Sequence, residues 1–263
     1  MNDSGPLPGI ALITGAARRL GKSMALALAQ AGWDIAIHCH HSLAEARETA
    51  AQVESLGRTA VVLQADLASP EQTATLLPDC ERQLGLPRCL INNASLFEFD
   101  DGDTFQAGLL HRHMAVNLAA ALQLSRELFQ AHRNAHPSGP DGPPAVIINM
   151  LDQKLVNLNP DYLSYTLSKS ALETATQLLA RCYAPWLRVV GLAPGITLPS
   201  GAQSDADFAR AHHRTPLGHA SNPEDIAKAA VFLAGATAVT GTTLYVDGGQ
   251  HLQPSLRDVM FQP

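Results

Sequence analysis

Tyr165 and Lys169 stand four residues apart, and Asp152 precedes Tyr165 by thirteen. On a helix, a spacing of four puts a phenol and an ammonium on one face, about one turn apart. A phenol has a reference pKa of about 10, so it exchanges a proton readily near neutral pH only with a cation beside its phenolate. Lys169 is placed to supply that cation. Asp152 follows the apolar run Ala145–Met150, which reads as a buried strand. In open parallel sheets, ligands bind outside the carboxyl ends of the strands, so phenol, ammonium and carboxylate should meet in one crevice. An ionised carboxylate accepts hydrogen bonds but donates none. It would repel a carbonyl oxygen; it suits a substrate bearing N–H groups, or proton delivery to a ring nitrogen.

The elements that must position these groups alternate along the chain. Apolar runs at residues 9–14, 34–39, 59–64, 88–92, 145–150, 187–192 and 243–246 read as strands. Helices are expected at 22–31, 44–56, from Pro70 behind an Ser69 cap, at 114–132, at 163–183 and from 222 to about 234. Strict alternation argues for one Rossmann-type, doubly wound parallel sheet of about seven strands, with helices on both faces and α/β class. We expect a single dinucleotide-binding and catalytic domain over 1–263: a flexible N-terminus at 1–8, a substrate lid loop at 197–221, and a tail at 250–263. The tail could reach a neighbouring subunit or fray.

Composition narrows the function. The 18 basic and 24 acidic residues give a net charge of −6, with no Lys/Arg stripe, which argues against a nucleic-acid binder. No apolar run approaches about 18 residues, so no membrane span is expected, and residues 1–8 carry no signal-peptide pattern. The four cysteines (Cys39, Cys80, Cys89, Cys182) lack CxxC spacing. Free thiols in a cytoplasmic protein, with no metal, are the expectation.

The turn after the first strand carries Gly15, Arg18, Arg19, Leu20 and Gly21. A strand, a glycine turn and a helix form a dinucleotide cradle, since the backbone can approach a pyrophosphate whose charge the helix N-terminus favours. NAD enzymes usually place an acid at the end of the second strand to hold the ribose. Here that end reads His38-Cys39-His40-His41-Ser42. Arg18, His40, His41 and Ser42 could instead accept a 2′-phosphate, so NADPH is the expected cofactor.

Thr14-Gly15-x-x-x-Arg19-x-Gly21, Asp66-Leu67, Asn92-Asn93-Ala94, Asn117, Tyr165-x-x-x-Lys169, Pro194-Gly195 and Val246-Asp247-Gly248-Gly249 resemble the short-chain dehydrogenase/reductase family from Thr14 to Gly249. Two features depart from the family pattern: Arg19 replaces the middle glycine of the loop, and Asp152 replaces a serine. With Asn93-Ala94-Ser95-Leu96-Phe97 they resemble the pteridine reductase branch, which includes bacterial dihydromonapterin reductases. That resemblance implies an NADPH-dependent reductase transferring hydride to a C=N bond of a pterin or dihydropterin. Asp152, Tyr165, Lys169 and Asn117 would be catalytic, with Asn117 kinking its helix and anchoring a relay water to Lys169. Gly15, Arg18, Arg19, Leu20, Gly21, His40, His41, Ser42, Asp66, Leu67, Asn93, Ala94, Ser95, Tyr165, Lys169, Pro194, Gly195 and Ile196 would hold the cofactor. Arg19, Ser95, Phe97, Asp152, Tyr162 and Tyr165 would meet the substrate, Phe97 stacking on the pterin and Tyr162 bordering the pocket. The resemblance also implies a homotetramer. The alternatives are a carbonyl reductase acting on a 3-oxoacyl or similar ketone, which would need a donor where Asp152 stands, and a non-catalytic NADP-binding regulator, which would not need Tyr165 and Lys169.

Overall fold

The computed structural model describes residues 9–199, 212, 215–258 and 261. Residues 1–8, expected to be flexible, lie outside these, as do 200–211 and 213–214 of the expected lid. The strands are β1 (Ile10–Ile13), β2 (Asp34–Cys39), β3 (Ala60–Gln64), β4 (Cys89–Asn92), β5 (Ala145–Met150), β6 (Leu187–Pro194) and β7 (Thr243–Val246). They form one sheet in the order β3-β2-β1-β4-β5-β6-β7, and every pairing is parallel. This is the doubly wound arrangement expected from the sequence. Its strand order reverses between β1 and β4, where such sheets open a crevice.

Side chains alternate across each strand, and both faces are covered. Ala11, Ile13, Ile35 and Ile37 pack under the helices Arg19–Gln30 (α1), Leu43–Ser55 (α2) and Pro223–Gly235. Leu12, Ala36, Leu90 and Ile147 pack on the opposite face, against helices Leu76–Gln83, Ala120–Ala135 and Leu163–Tyr183. Burying both faces fixes the strand ends, and the loops that carry chemistry start there.

Capping follows the sequence closely. The Ser69 hydroxyl accepts from the Gln72 N–H with Pro70 in the first turn. Asn222 and Asp225 form a reciprocal capping box behind Pro223. The helix Leu163–Tyr183 is capped from a distant loop. The buried Asp100 carboxylate accepts from the backbone N–H and the hydroxyl of Ser164, and the Asp100 carbonyl accepts from Leu163 N–H. That helix carries Tyr165 and Lys169, so a loop some sixty residues earlier sets their position.

One element differs from expectation. In place of a regular helix over 114–132, α-helix Ala107–His113 runs into a π-helical stretch, Met114–Ala119, and then into Ala120–Ala135. Wide turns of this kind are frequent at functional sites. Here the Asn117 side chain is occupied by a neighbouring loop rather than by its own helix, and a 3.6-residue period carries no sign of that.

Candidate active site

The cleft has a volume of about 620 Å³ and is lined by the segments that leave the strands at their carboxyl ends. Gly15, Arg18, Arg19, Leu20 and Gly21 follow β1; His40, His41 and Ser42 follow β2; Asp66 and Leu67 follow β3. Asn93, Ala94, Ser95 and Phe97 follow β4, Asp152 follows β5, and Gly195 and Ile196 follow β6.

The glycine loop is held by a dense set of bonds. The Thr14 hydroxyl accepts from the backbone N–H groups of Asn93 (2.9 Å) and Ala94 (3.0 Å). The Asn93 amide donates to the carbonyls of Thr14 (2.8 Å) and Gly15 (3.2 Å). Gly15 has φ +64°, and its N–H donates to His38 Nδ1 at 3.1 Å. A Cβ at Gly21 would sit 2.3 Å from the Gly15 carbonyl oxygen, so that position excludes any side chain. Arg19 opens α1, three residues before the expected start, at φ +54°. The family's glycine stands at this position. A left-handed non-glycine residue costs about 1–2 kcal/mol, so Arg19 sits on a backbone shaped for glycine. Its guanidinium donates to the Pro199 carbonyl at 3.1 Å.

The N-terminus of α1 has no side-chain cap and no acidic residue in its first turn. The Pro223–Gly235 helix, by contrast, satisfies its own end. The α1 donors therefore face the cleft, where an anion suits them. The rings of His40 and His41 lie against each other, tilted by 31° with centroids 3.5 Å apart, and Asp66 lies 4.0 Å from His40.

His38 was not anticipated as a site residue. It is buried, with Nδ1 accepting from Gly15 and Nε2 on the Ala65 carbonyl at 3.1 Å. Those two bonds require the neutral Nε2–H tautomer. Burial pushes its pKa down to about 4, the Ala65 bond opposing and His40 reinforcing the shift. In the sequence His38 reads only as part of the histidine-rich end of the second strand, and no spacing marks its contact with a loop 23 positions away.

At the other end, the Tyr165 hydroxyl donates to Asp152 Oδ2 at 2.8 Å. Asp152 Oδ1 caps the short 3₁₀ turn Gln153–Val156 by accepting from Lys154 N–H at 2.9 Å. Tyr165 and Lys169 are buried behind this carboxylate. Burial raises the Asp152 carboxyl above the usual range. The Lys154 N–H, the Tyr165 hydroxyl and Lys169 oppose that rise, and Asp258 adds to it. Lys169 is pushed down to about 8 by burial, with Asp152 holding it up.

Three expectations need correcting. The phenol is not made acidic by the amine: burial, and then the Asp152 charge, hold Tyr165 well above its ordinary value. Lys169 instead donates to the Met150 carbonyl at 2.7 Å, with Nζ 5.8 Å from the phenol ring centre. Asn117 ties two segments together through its side chain. Its Oδ1 accepts from Leu96 N–H (2.7 Å) and the Ser95 hydroxyl (3.3 Å), and its amide donates to the Leu96 carbonyl and the Ser168 hydroxyl. It thereby ties the loop carrying Ser95 and Phe97 to the helix carrying Tyr165. Tyr162 is not on the cleft wall but buried at φ +57°, stacked on Phe97 with centroids 4.2 Å apart. Phe97 is 41% exposed, with its edge to Tyr165 at 4.7 Å, so it offers its ring to the cleft. Pro194 ends β6, leaving Gly195 and Ile196 as the cleft residues of that segment.

The described tail does not fray; it lies on its own chain. Asp161 accepts from Arg257 Nε (2.9 Å) and from Asp258 N–H (2.7 Å). Lys154 Nζ lies 3.3 Å from Asp258 Oδ2. Phe261 meets Phe99 edge-on at 5.3 Å. Thr197 and Leu198, from the start of the expected lid loop, also line the cleft, as do Gln153, Gln250 and Asp258, which the sequence did not mark. Among the described residues no cluster of three or more His, Cys, Asp or Glu could hold a metal, and no helix is long and apolar enough to cross a membrane.

A family model described as enoyl-(acyl carrier protein) reductase matches residues 15–251. The chain is similar to a solved structure of FolM alternative dihydrofolate reductase 1 from Brucella canis complexed with NADP. The TM-score is 0.85 at 36% identity, covering 93% of this chain and 95% of that one. It is also similar to the angucycline C-6 ketoreductase LanV with bound NADP (TM-score 0.83, 27% identity, 95% and 98% covered). A curated relative, 3beta-hydroxysteroid dehydrogenase 1 of Eggerthella lenta, is 31% identical over 253 residues, 94% of this chain and 95% of that protein. With that span matched and this sheet beneath it, the chain belongs to the short-chain dehydrogenase/reductase family of nicotinamide-dependent oxidoreductases.

Proposed function

We propose that this protein uses NADPH to reduce a C=N bond of a pterin or dihydropterin. The observation that carries the substrate class is the Asp152 carboxylate, hydrogen-bonded to the Tyr165 hydroxyl at 2.8 Å on a cleft wall it shares with Phe97. The similarity to a FolM alternative dihydrofolate reductase supports the same choice.

The residues present fit the cofactor. The uncapped α1 N-terminus suits a pyrophosphate. Arg18, His40, His41 and Ser42 line the end where a 2′-phosphate would lie, and no acid stands at the end of β2. Gly15, Leu20, Gly21, Asp66, Leu67, Asn93, Ala94, Gly195 and Ile196 complete the cradle. When bound, NADPH supplies the hydride.

The chain's own residues hold the substrate and move the proton. Phe97 offers a ring face on which a planar heterocycle stacks, worth about 0.5–1.5 kcal/mol beyond area burial. Arg19 offers donors beside it, and Ser95 a hydroxyl oxygen that can accept. Asp152 accepts from substrate N–H groups. Its raised carboxyl keeps its proton to higher pH than an ordinary aspartate, so Asp152 and Tyr165 deliver a proton to the ring nitrogen next to the reduced carbon. Lys169 keeps a positive charge in the buried site near neutral pH, given its value of about 8.

A carbonyl reductase is the second reading, favoured by the similarity to LanV and to the steroid dehydrogenase. Absorbance at 340 nm with NADPH, dihydrobiopterin and a ketone panel separates the two. The expected result is turnover of the dihydropterin with kcat/KM well above every ketone. Ketone turnover with an inert pterin would reverse the assignment.

A further inference from the structure

We propose that Asp258, from the C-terminal tail, is a substrate-binding residue. Together with Asp152 it presents a second carboxylate to the N–H-bearing edge of the substrate, and the tail is fastened in cis to hold it there. This rests on the pterin reading of the same site and extends it to a residue outside the region matched by the family model, which ends at 251.

The geometry is specific. Asp258 lines the cleft with Asp152, Gln153 and Phe97. The tail that carries it is held by three residues of the stretch 154–161. Lys154, 4% exposed, reaches its Oδ2 at 3.3 Å and also donates to the Asp161 carbonyl. The buried Asp161 carboxylate accepts from Asp258 N–H and from Arg257. The Asn157 amide donates to the Gln253 carbonyl. Lys154 is two residues from Asp152, and its N–H is the one that Asp152 caps. The fastening of the tail and the placing of the reactive carboxylate therefore share one turn.

Among the described residues, the charged and titratable groups facing Asp258 include Lys154, Asp161, Arg257, Asp152, Tyr162 and Tyr165. Its negative charge reaches the reactive pair, pushing both Asp152 and Tyr165 upward. Two carboxylates converging on one end of a cleft disfavour an acidic or carbonyl-presenting substrate, and favour one rich in N–H donors.

The test is Asp258→Asn, assayed as the NADPH holoenzyme against the parent. Asparagine keeps an acceptor for Lys154 and the backbone bond to Asp161, so the tail stays fastened while the charge is lost. For dihydrobiopterin, KM should rise about tenfold, as for loss of a charged hydrogen bond, with less effect on kcat. The limb on which kcat/KM falls as Asp152 loses its proton should move to lower pH. Asp258→Glu should recover part of both. A parent that reduces the pterin, with an Asp258→Asn variant unchanged in KM and pH limb, overturns this inference and leaves the pterin reading standing. A parent active only on ketones, with the limb shifted in the variant, overturns the pterin reading while the role of Asp258 beside the reactive pair stands. A parent active only on ketones with the limb unmoved, or inactive on both classes, overturns both.

Discussion

The two ends of the cleft are built differently. The cofactor end stands on backbone: Thr14, Asn93 and His38 fix the glycine loop through six short bonds to main-chain atoms, and the helix end above it is left open. The substrate end stands on side chains: a carboxylate on a phenol, a ring stacked on a second ring, and a tail pinned by buried charges. Backbone cradles tolerate sequence change so long as the glycines and their anchors remain. A side-chain pocket changes its preference with one substitution. The first end thus serves any substrate, and it is at the second that a choice between substrates would be made.

That difference orders the expected effects. Tyr165→Phe removes the hydroxyl on Asp152 and should cost about 10²–10⁴-fold in kcat, with NADPH affinity, read by fluorescence titration, nearly unchanged. A comparable loss of NADPH binding would mean that the two ends are not separable.

His38 tests the cofactor end. Its folded pKa of about 4 lies below the ordinary 6.5, so the unfolded chain binds more protons between those values. Its contribution is fully present above about pH 6.5 and is lost as pH falls towards 4. The size is about 3 kcal/mol, as an order of magnitude. Urea unfolding at pH 7 and pH 4.5 should show this loss, and His38→Gln should flatten it. An equal loss in the variant would assign the pH dependence elsewhere.

Arg18→Ala should raise KM for NADPH about tenfold, roughly 1.4 kcal/mol, and leave KM for NADH within twofold. Equal losses with both cofactors would remove Arg18 from the 2′-phosphate site. The smallest effect is expected at Arg19. Arg19→Gly relieves the left-handed strain and should stabilise the fold by about 0.5–1 kcal/mol, while lowering kcat/KM. Unchanged catalysis would remove Arg19 from substrate and phosphate binding.

The legibility of the sequence divides along the same line. Strand runs and caps were readable because burial and capping are local: β2, β5 and β7 fall where the apolar runs lie, and Ser69 and Asn222 cap as their spacing implies. Asp152 meets Tyr165 because a strand end and a helix face converge, and spacing encodes that. What spacing cannot encode is a side chain answering a distant partner. His38 on Gly15, Asp100 on Ser164, Asn117 on Leu96 and Asp258 on Lys154 each join segments from different parts of the chain. The direction of the Tyr165 shift was missed for a related reason. Proximity of Lys169 was legible, but burial of the phenol against a carboxylate, which outweighs it, was not.

The most direct measurement is kcat/KM of Asp152→Ser for dihydrobiopterin and for the ketone panel, beside NADPH affinity. Serine supplies the donor that a carbonyl needs and removes the carboxyl group that accepts from a ring N–H and passes a proton to the ring nitrogen. The pterin value should fall about 100-fold or more while ketone turnover holds or rises and NADPH still binds. A variant that reduces dihydropterin as fast as the parent would contradict the assignment of this carboxylate, and with it the choice of substrate.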